Sequence, residues 1–337
     1  LDNRLSSPLA VQQAPTSAGG IVDLDRSYSG LGLTYQRGMP LGQGRLRFSA
    51  GLELEQMRER RRGYLNALGA RGDLKRDEDD SAQSVGLFAQ GDWAINEHWS
   101  AVAGLRVSRV AFQVRDHFIR PGNPDDSGRT RYSAAQPMLG LTRHLGEHTH
   151  LYANVGRGFE TPTLAEIGYR PQGSGPNLGL RAARSTHAEV GLKTQLSPTQ
   201  RLDVAVFDIR TAREIVVASS SGGRAVYANA GRTRRSGLEV AYSAQLTPEW
   251  HAQLALSTLN ARFSDAFSAS GTPVARGNRL PGIPQRTLFA EIGWQPKAWP
   301  GFSATVEAVH LGRMAVDDVN SDRTASATVF NLRLGWE

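Results

Sequence analysis

Apolar and polar residues alternate along most of this chain with a period of two. The pattern is clearest in the segment 45–55, where the apolar positions are Leu46, Phe48, Ala50, Leu52 and Leu54. Because successive side chains of a β-strand point to opposite faces, this alternation predicts a strand with one apolar and one polar face. The segments 238–243, 250–257 and 302–309 repeat the pattern. We predict about thirteen strands in this way and almost no amphipathic helix.

The connections between the predicted strands alternate between short and long. Short turns are predicted near residues 38–43, 94–98, 145–149, 197–200, 247–249 and 296–300. Long polar loops are predicted near residues 58–82, 115–131, 158–185, 217–233, 263–285 and 313–325, and residues 1–27 are predicted to form a loop before a first strand at 28–37. Antiparallel up-and-down strands place all short turns at one end and all long loops at the other, as in outer-membrane barrels.

Tryptophan placement is an independent indication of a membrane. All six tryptophans lie at the short-turn end of the predicted strands, namely Trp93, Trp99, Trp250, Trp294, Trp299 and Trp336. All except Trp299 also share the parity of the apolar face. Membrane barrels carry amphipathic aromatic rings in girdles at the interface. The apolar face is therefore predicted to meet lipid.

Composition narrows the fold class. The chain has 337 residues, of which 39% are hydrophobic and 21% charged, so it contains enough apolar side chains to fold. No stretch approaches the roughly 18 uncharged apolar residues that a membrane helix requires. A mean hydropathy of -0.38 is compatible with barrel strands, which show polar side chains to the lumen. We predict an all-β fold, an antiparallel transmembrane β-barrel.

The residues give little support to an enzyme. Cysteine is absent, and the eight histidines lack metal-ligand spacing, so no catalytic residue, metal site or cofactor is predicted. The net charge of +7 comes from arginines dispersed among acids, which argues against nucleic-acid binding. The charge runs 58–62 and 77–80 are interpreted as solvated loops, and His144, His148 and His150 as surface residues near a turn.

One segment resembles a known family. The stretch 151–166, LYANVGRGFETPTLAE, is similar to the strand-to-loop motif of TonB-dependent receptors, in which an aromatic strand ends in an RGF-x-x-PT turn followed by a glutamate. The segments 189–193, 205–210, 227–239 and 278–284 resemble successive blocks of that family in the same order. The glycines and prolines of these blocks are interpreted as turn and bulge residues.

The loops resemble one subfamily more closely. The segments 122–128, 169–171, 214–217 and 221–224 are similar to the branch that contains the pyrroloquinoline quinone importer, and ferric-siderophore receptors share the barrel blocks. The resemblance implies that residues 1–337 are part of a 22-stranded barrel domain. It also implies that the plug, the leading strands and the last two strands of a full receptor lie outside this chain.

The resemblance implies a function in the bacterial outer membrane. It is the energy-coupled import of a scarce small-molecule ligand, a ferric siderophore or pyrroloquinoline quinone, with the TonB–ExbB–ExbD complex acting through the plug. Such anionic ligands need cationic and bidentate donors on the extracellular side. The predicted ligand-binding residues are Arg129, Arg131, Tyr169, Arg170, Arg181, Arg224 and Arg232.

Two other functions remain open from the sequence. A passive porin or channel shares the sorted loops and the tryptophan girdle, but it needs no plug and no energy coupling. A soluble all-β binding domain shares only the alternation of apolar and polar residues.

Overall fold

The chain forms a long antiparallel meander of strands. The computed structural model describes residues 2–4, 9–15, 17–170, 175–221, 224–269 and 271–336. In these residues fourteen strands form one sheet, in which each strand pairs with the next one along the chain and two hairpins are set aside. Among the described residues, no helix is long and apolar enough to cross a membrane.

The elements follow one another with these bounds: β1 (Asp2–Arg4), α1 (Leu9–Gln13), β2 (Ile21–Leu41), β3 (Gly44–Ala67), β4 (Ala70–Ala94), β5 (Trp99–Asp116), β6 (Gly128–His144), β7 (Thr149–Glu160), α2 (Leu164–Ile167), β8 (Ala183–Ser197), β9 (Gln200–Ala212), β10 (Ile215–Ser221), β11 (Arg224–Asn229), β12 (Arg232–Thr247), β13 (Trp250–Phe263), β14 (Phe267–Ala269), β15 (Thr272–Val274), β16 (Arg286–Trp294), β17 (Phe302–Leu311) and β18 (Ala327–Trp336). The main sheet runs through all strands except the hairpins β10–β11 and β14–β15. The all-β prediction and the count of about thirteen strands are confirmed, since β1 is only three residues long.

The strand register aligns apolar side chains across one face of the sheet. Leu33 pairs with Leu52, Leu52 with Leu87, and Leu87 with Val107. Farther along, Val190 pairs with Val206, which pairs with Leu238. Most of these residues are exposed, as are many other large apolar side chains of the same face. A continuous exposed apolar band of this kind is what a barrel presents to lipid.

The tryptophans form the predicted girdle at the short-turn end. Trp250 stacks on Trp294 with ring centroids 5.7 Å apart. Trp294 also contacts Trp299, and Phe302 contacts Trp336 at 5.8 Å. These rings come from β13, β16, β17, β18 and the connection before β17, so one interfacial aromatic cluster spans several strands.

All six predicted short turns are present. They are the connections 42–43, 95–98, 145–148, 198–199, 248–249 and 295–301. Five of the six predicted long loops are also found, with boundaries shifted by a few residues, at 117–127, 161–182, 213–231, 264–285 and 312–326. The hairpins β10–β11 and β14–β15 lie inside two of these connections.

The predicted loop at 58–82 is wrong. These residues continue β3 and β4 as a hairpin whose two-residue turn, Leu68–Gly69, has positive φ angles of 53° and 90°. The two charge runs face each other across this hairpin, where Arg60 pairs with Asp79 and Arg61 with Glu78. Opposite charges at directly paired positions stabilise a sheet, so the polar runs extend the strands. The predicted loop 1–27 is likewise too long, because β2 begins at Ile21.

The long hairpin projects beyond the apolar band. On the outward face of β4, Val85 is the last large apolar residue of the exposed band, and the next outward positions toward the turn, Gln83 and Ser81, are polar. A transmembrane β-strand needs only about 9–11 residues, whereas β4 has 25. We therefore treat residues 85–93 of β4 as its membrane-spanning part and residues 70–84 as an extension outside the membrane.

Candidate ligand-binding site

A cavity of about 230 Å³ lies on the inward face of the sheet, at the long-loop end. Its lining comes from the β4 extension, the loops 117–127 and 161–182, and the hairpin β10–β11. We call it the Tyr169 cavity. Its lining residues are Ala18, Lys75, Arg76, Glu78, Asp116, Phe118, Asn123, Asp126, Tyr169, Arg170, Gly175, Ser219, Arg224 and Val226.

Three guanidinium groups surround the ring of Tyr169. The Cζ atoms of Arg76 and Arg224 lie 5.2 Å from the ring centroid, and that of Arg61 lies 5.3 Å away. Arg61 also donates a hydrogen bond from Nη2 to the Tyr169 hydroxyl, at 2.9 Å. Burial tends to raise the pKa of the Tyr169 phenol, but the three arginines together outweigh it and lower that pKa. The phenol oxygen thus lies in a strongly positive environment.

The loop 161–182 is fixed against the barrel wall, and this places Tyr169. Its helix α2 begins with a capping box, in which the Thr163 hydroxyl accepts from the Glu166 N–H and the Glu166 carboxylate accepts from the Thr163 N–H. Capping boxes satisfy backbone donors that a helix leaves unpaired. Leu164 and Ile167 are buried and pack in a cluster with Tyr132 of β6 and other residues.

A buried ion pair forms one wall of the cavity. Arg76 and Glu78 approach to 2.7 Å, and both side chains are almost fully buried. Asp80 lies on the same face of β4, and its Oδ1 atom has no hydrogen-bond partner among the described residues. Burial, helped by the charge of Glu78, raises the pKa of Asp80 to about 7. Asp80 is in the extension outside the membrane. A pKa of about 7 means that this carboxyl changes its charge near neutral pH.

Several arginines of the cavity have N–H donors that are not hydrogen-bonded to any described residue. Arg170 pairs with Asp126 at 2.8 Å, and Arg224 donates to the backbone carbonyl of Gly19. The buried Nε atoms of Arg76, Arg170 and Arg224 nevertheless have no acceptor among the described residues. A buried donor without an acceptor is costly, and guanidinium groups match carboxylate and phosphate geometry. The cavity is chemically suited to an acceptor-rich anion.

The comparisons with known proteins agree with this fold. A model of the family "TonB dependent receptor-like, beta-barrel" matches residues 3–337. The chain belongs to this family. Among curated relatives, it is 25% identical over 207 residues to the probable TonB-dependent receptor BfrD of Bordetella pertussis, covering 60% of this chain and 27% of BfrD.

Solved structures show the same barrel wall. The siderophore receptor PiuA from Acinetobacter baumannii superposes with a TM-score of 0.76 at 16% identity, over 93% of this chain and 50% of PiuA. The ferric citrate transporter FecA gives a TM-score of 0.74 at 15% identity, over 94% of this chain and 48% of FecA. Each of the three relatives is named a receptor or a transporter. The TonB-dependent receptor barrel described here thus spans about half the length of these solved chains, and it is an outer-membrane β-barrel.

The TonB-dependent receptor barrel brings three of the seven predicted ligand residues together. Tyr169, Arg170 and Arg224 line the cavity. The other four lie elsewhere. Arg129 and Arg131 alternate along β6 with the inward, buried Tyr132 and therefore face outward.

Two predicted ligand residues lie near the loop ends. Arg232 precedes the buried Thr233, faces outward and is bonded to Asp265. Arg181 is exposed, and its backbone exchanges hydrogen bonds with the side chain of Asn229. Of the loop motifs that resemble the pyrroloquinoline quinone branch, Pro171 and the pair Gly222–Gly223 lie outside the described residues.

Arg61, Arg76, Glu78 and Asp80 are part of the site but were missed from the sequence. Arg61, Glu78 and Asp80 belong to the two charge runs that were interpreted as solvated loops, and Arg76 directly precedes the second run. A signal was present, because the two runs have opposite sign and lie at similar distances on either side of a Leu-Gly pair. An arginine run and an acidic run arranged in this way can pair across a hairpin.

Two histidines near the short-turn end contact each other. The Nδ1 atoms of His144 and His150 lie 2.9 Å apart, and Ser100 contacts the Nε2 atom of His144 at 3.1 Å. Within the described residues, no group of three or more potential ligands among histidine, aspartate and glutamate could hold a metal ion.

Proposed function

We propose that this chain forms part of the wall and the extracellular binding site of a receptor that imports an anionic small molecule by TonB-dependent transport. The convergence of Arg61, Arg76 and Arg224 on Tyr169 supports this proposal most directly. An anion in the cavity would accept hydrogen bonds from guanidinium atoms that have no acceptor in the described residues. The family to which the chain belongs supports the transport mechanism.

Ferric siderophores are the ligand class that the relatives favour. PiuA is named a siderophore receptor and FecA a ferric citrate transporter, and both share this barrel fold. Pyrroloquinoline quinone carries three carboxylates and would suit the same guanidinium groups, but it is supported only by the loop motifs. In this proposal the TonB–ExbB–ExbD complex supplies energy through a plug domain that is not among these 337 residues.

The passive porin is the weaker alternative. The loop 161–182 packs its apolar residues inward against β5 and β6, which narrows the lumen at the long-loop end. Membership of the TonB-dependent receptor family supports a receptor over a diffusion channel. A soluble all-β domain does not agree with the exposed apolar band or with the aromatic cluster at its edge.

Binding measured on the full-length protein in detergent tests the site. Ferric siderophores of several classes and pyrroloquinoline quinone would be titrated while tryptophan fluorescence is followed. Arg224→Gln should weaken binding of the preferred ligand by at least about tenfold, because a charge-assisted, bidentate donor is lost. Arg129→Gln, which changes an exposed outward arginine, is the matched control. Equal loss in both variants, or loss in neither, would contradict the assignment of the cavity.

Uptake tests the transport mechanism separately. Cells that carry the full-length receptor should accumulate the preferred ligand only when TonB is present and the inner membrane is energised. Accumulation that persists without TonB would favour the porin. Affinity in detergent does not depend on TonB, so the two experiments can fail independently.

A further inference from the structure

A second group of arginines lies on the opposite face of the sheet. Arg157, Arg210, Arg234 and Arg262 face outward on β7, β9, β12 and β13, and we call them the outer arginine row. Their direction follows from strand parity, since the alternating neighbours Thr211 and Thr233 are buried on the inward face.

The strand register places these arginines in one line across the sheet. Arg157 pairs with Thr186 of β8, which pairs with Arg210. Arg210 then pairs directly with Arg234, which pairs directly with Arg262. With neighbouring strands about 4.8 Å apart, the row is about 19 Å wide. Like charges at directly opposed positions destabilise a sheet, so the row is not explained by fold stability.

The surface around the row is strongly positive. Arg184 and Arg232 flank it one position farther out on the same face. Among the described residues, the acids that contact these arginines are Asp208, which binds both Arg210 and Arg234, and Asp265, which binds Arg232. Six arginines against two aspartates leave a formal charge of +4. Arg210 and Arg232 keep 71% and 70% of their side-chain surface exposed, so their guanidinium groups can reach a ligand.

The row lies at the edge of the apolar band that is nearer to the long loops. On β7 the exposed Val155 is two residues from Arg157, and on β9 the exposed Val206 is four residues from Arg210. At about 3.3 Å per residue these separations are roughly 7 to 13 Å along tilted strands. This depth corresponds to the headgroup layer, which adds roughly 5 to 8 Å to each side of the hydrocarbon core.

We propose that the outer arginine row binds the phosphate groups of phosphorylated lipid headgroups in the outer leaflet. Guanidinium groups bind phosphate through paired N–H donors, and a row about 19 Å wide can contact more than one phosphate. The position of the row at the edge of the lipid-facing band favours a lipid over a protein as the occupant. This role of the row follows from the outer-membrane location of the family and is independent of the identity of the imported ligand.

Native mass spectrometry of the full-length protein in neutral detergent micelles tests this proposal. The probe is bisphosphorylated lipid A, compared with the same lipid after enzymatic removal of its phosphates and with inorganic phosphate alone. The wild-type protein should retain the phosphorylated lipid and lose most of that binding when the phosphates are removed. Removing one surface arginine should weaken binding about fivefold, so the triple variant Arg157→Gln, Arg210→Gln, Arg234→Gln should weaken it about a hundredfold.

Arg37→Gln is the matched control, because Arg37 is an exposed outward arginine of β2 near the short-turn end. It should leave lipid binding unchanged. Equal affinity for the dephosphorylated lipid would overturn the proposal. Binding of inorganic phosphate as tight as that of the lipid would also overturn it, because that result would indicate a free-anion site. A triple variant that binds the lipid normally but changes oligomeric state would indicate contact with another protein and would also overturn it.

Discussion

The Tyr169 cavity and the outer arginine row use the same residue type in opposite environments. In the cavity, Arg61 and Arg76 are almost fully buried and contact Tyr169 or Glu78. In the row, Arg210 and Arg234 are exposed and share one aspartate. Arg61 and Arg76 lie at the long-loop end of the same sheet as the row, and the face that each of these strand arginines occupies depends on its parity along the strand.

The charge run on β3 shows the same contrast between adjacent residues. Arg61 points inward to the Tyr169 hydroxyl, whereas Arg62 points outward to Asp23, 3.3 Å away. A buried charge must be paired and hydrogen-bonded, but an exposed one is solvated by water. Substitutions in the cavity should therefore affect stability and ligand binding strongly, and substitutions in the row should affect stability little.

The largest expected effect is on the stability of the cavity wall. Arg76→Ala leaves Glu78 buried without its partner, and breaking a buried pair in this way costs about 3–5 kcal/mol. Arg234→Ala should change the free energy of unfolding by less than about 1 kcal/mol, because its ion pair is exposed and the substitution also relieves repulsion. Denaturant unfolding of the full-length protein in detergent measures both, and similar values for the two variants would contradict the contrast.

A smaller effect is expected at the hydroxyl of Tyr169. Tyr169→Phe removes the acceptor of the Arg61 hydrogen bond and leaves a buried charged donor unsatisfied, which costs about 1–3 kcal/mol. Tyr35→Phe is the matched control, since Tyr35 is an exposed residue of the lipid-facing band. The same unfolding experiment separates the two. If Tyr169→Phe is as stable as the control, the Arg61 hydrogen bond does not support the site.

The smallest expected effect is a pH dependence of ligand binding. The pKa of Asp80 is raised to about 7, so the side chain is neutral below that pH and negative above it. The affinity for an anionic ligand should therefore fall as the pH rises through about 7, by roughly twofold to tenfold, because a negative charge appears beside Arg76. This fall is measured by ligand titrations at pH values from 5.5 to 8.5, about 1.5 units on either side of that pKa.

Asp80→Asn tests the cause of that dependence. It should abolish the fall in affinity, since the amide does not ionise, and it should leave the row unaffected. The raised pKa also means that ionisation of Asp80 opposes folding. Its unfavourable contribution should grow as the pH rises from the ordinary aspartate range to about 7. A pH profile that is unchanged in Asp80→Asn would assign the dependence to another group.

Much of the fold was predictable because it depends on neighbouring residues. The alternation in 45–55 specifies one apolar face, and the six short turns follow from where that alternation stops. The hairpin 58–82 was not predicted. Its charge runs look like a loop by composition, and a leucine at positive φ is an uncommon turn residue, so only the pairing of Arg60 with Asp79 reveals the strands.

The candidate site was predictable only in part. The requirement for cationic donors in the loops led to Tyr169, Arg170 and Arg224, which the structure brings into one cavity. The same requirement also selected Arg129 and Arg232, which face outward. Loop composition carries no information about which face a side chain occupies once the loop boundary is misplaced by a few residues.

The sequence by itself determined most of the strands, the lipid-facing band, the tryptophan girdle and the resemblance to TonB-dependent receptors. These properties are periodic or local, so each is encoded within about ten residues. Only the tertiary structure decided that residues 61, 76, 169 and 224 meet around one ring and that residues 157, 210, 234 and 262 form one row. Both arrangements join distant parts of the chain. They are created by strand register and by the inward packing of a loop.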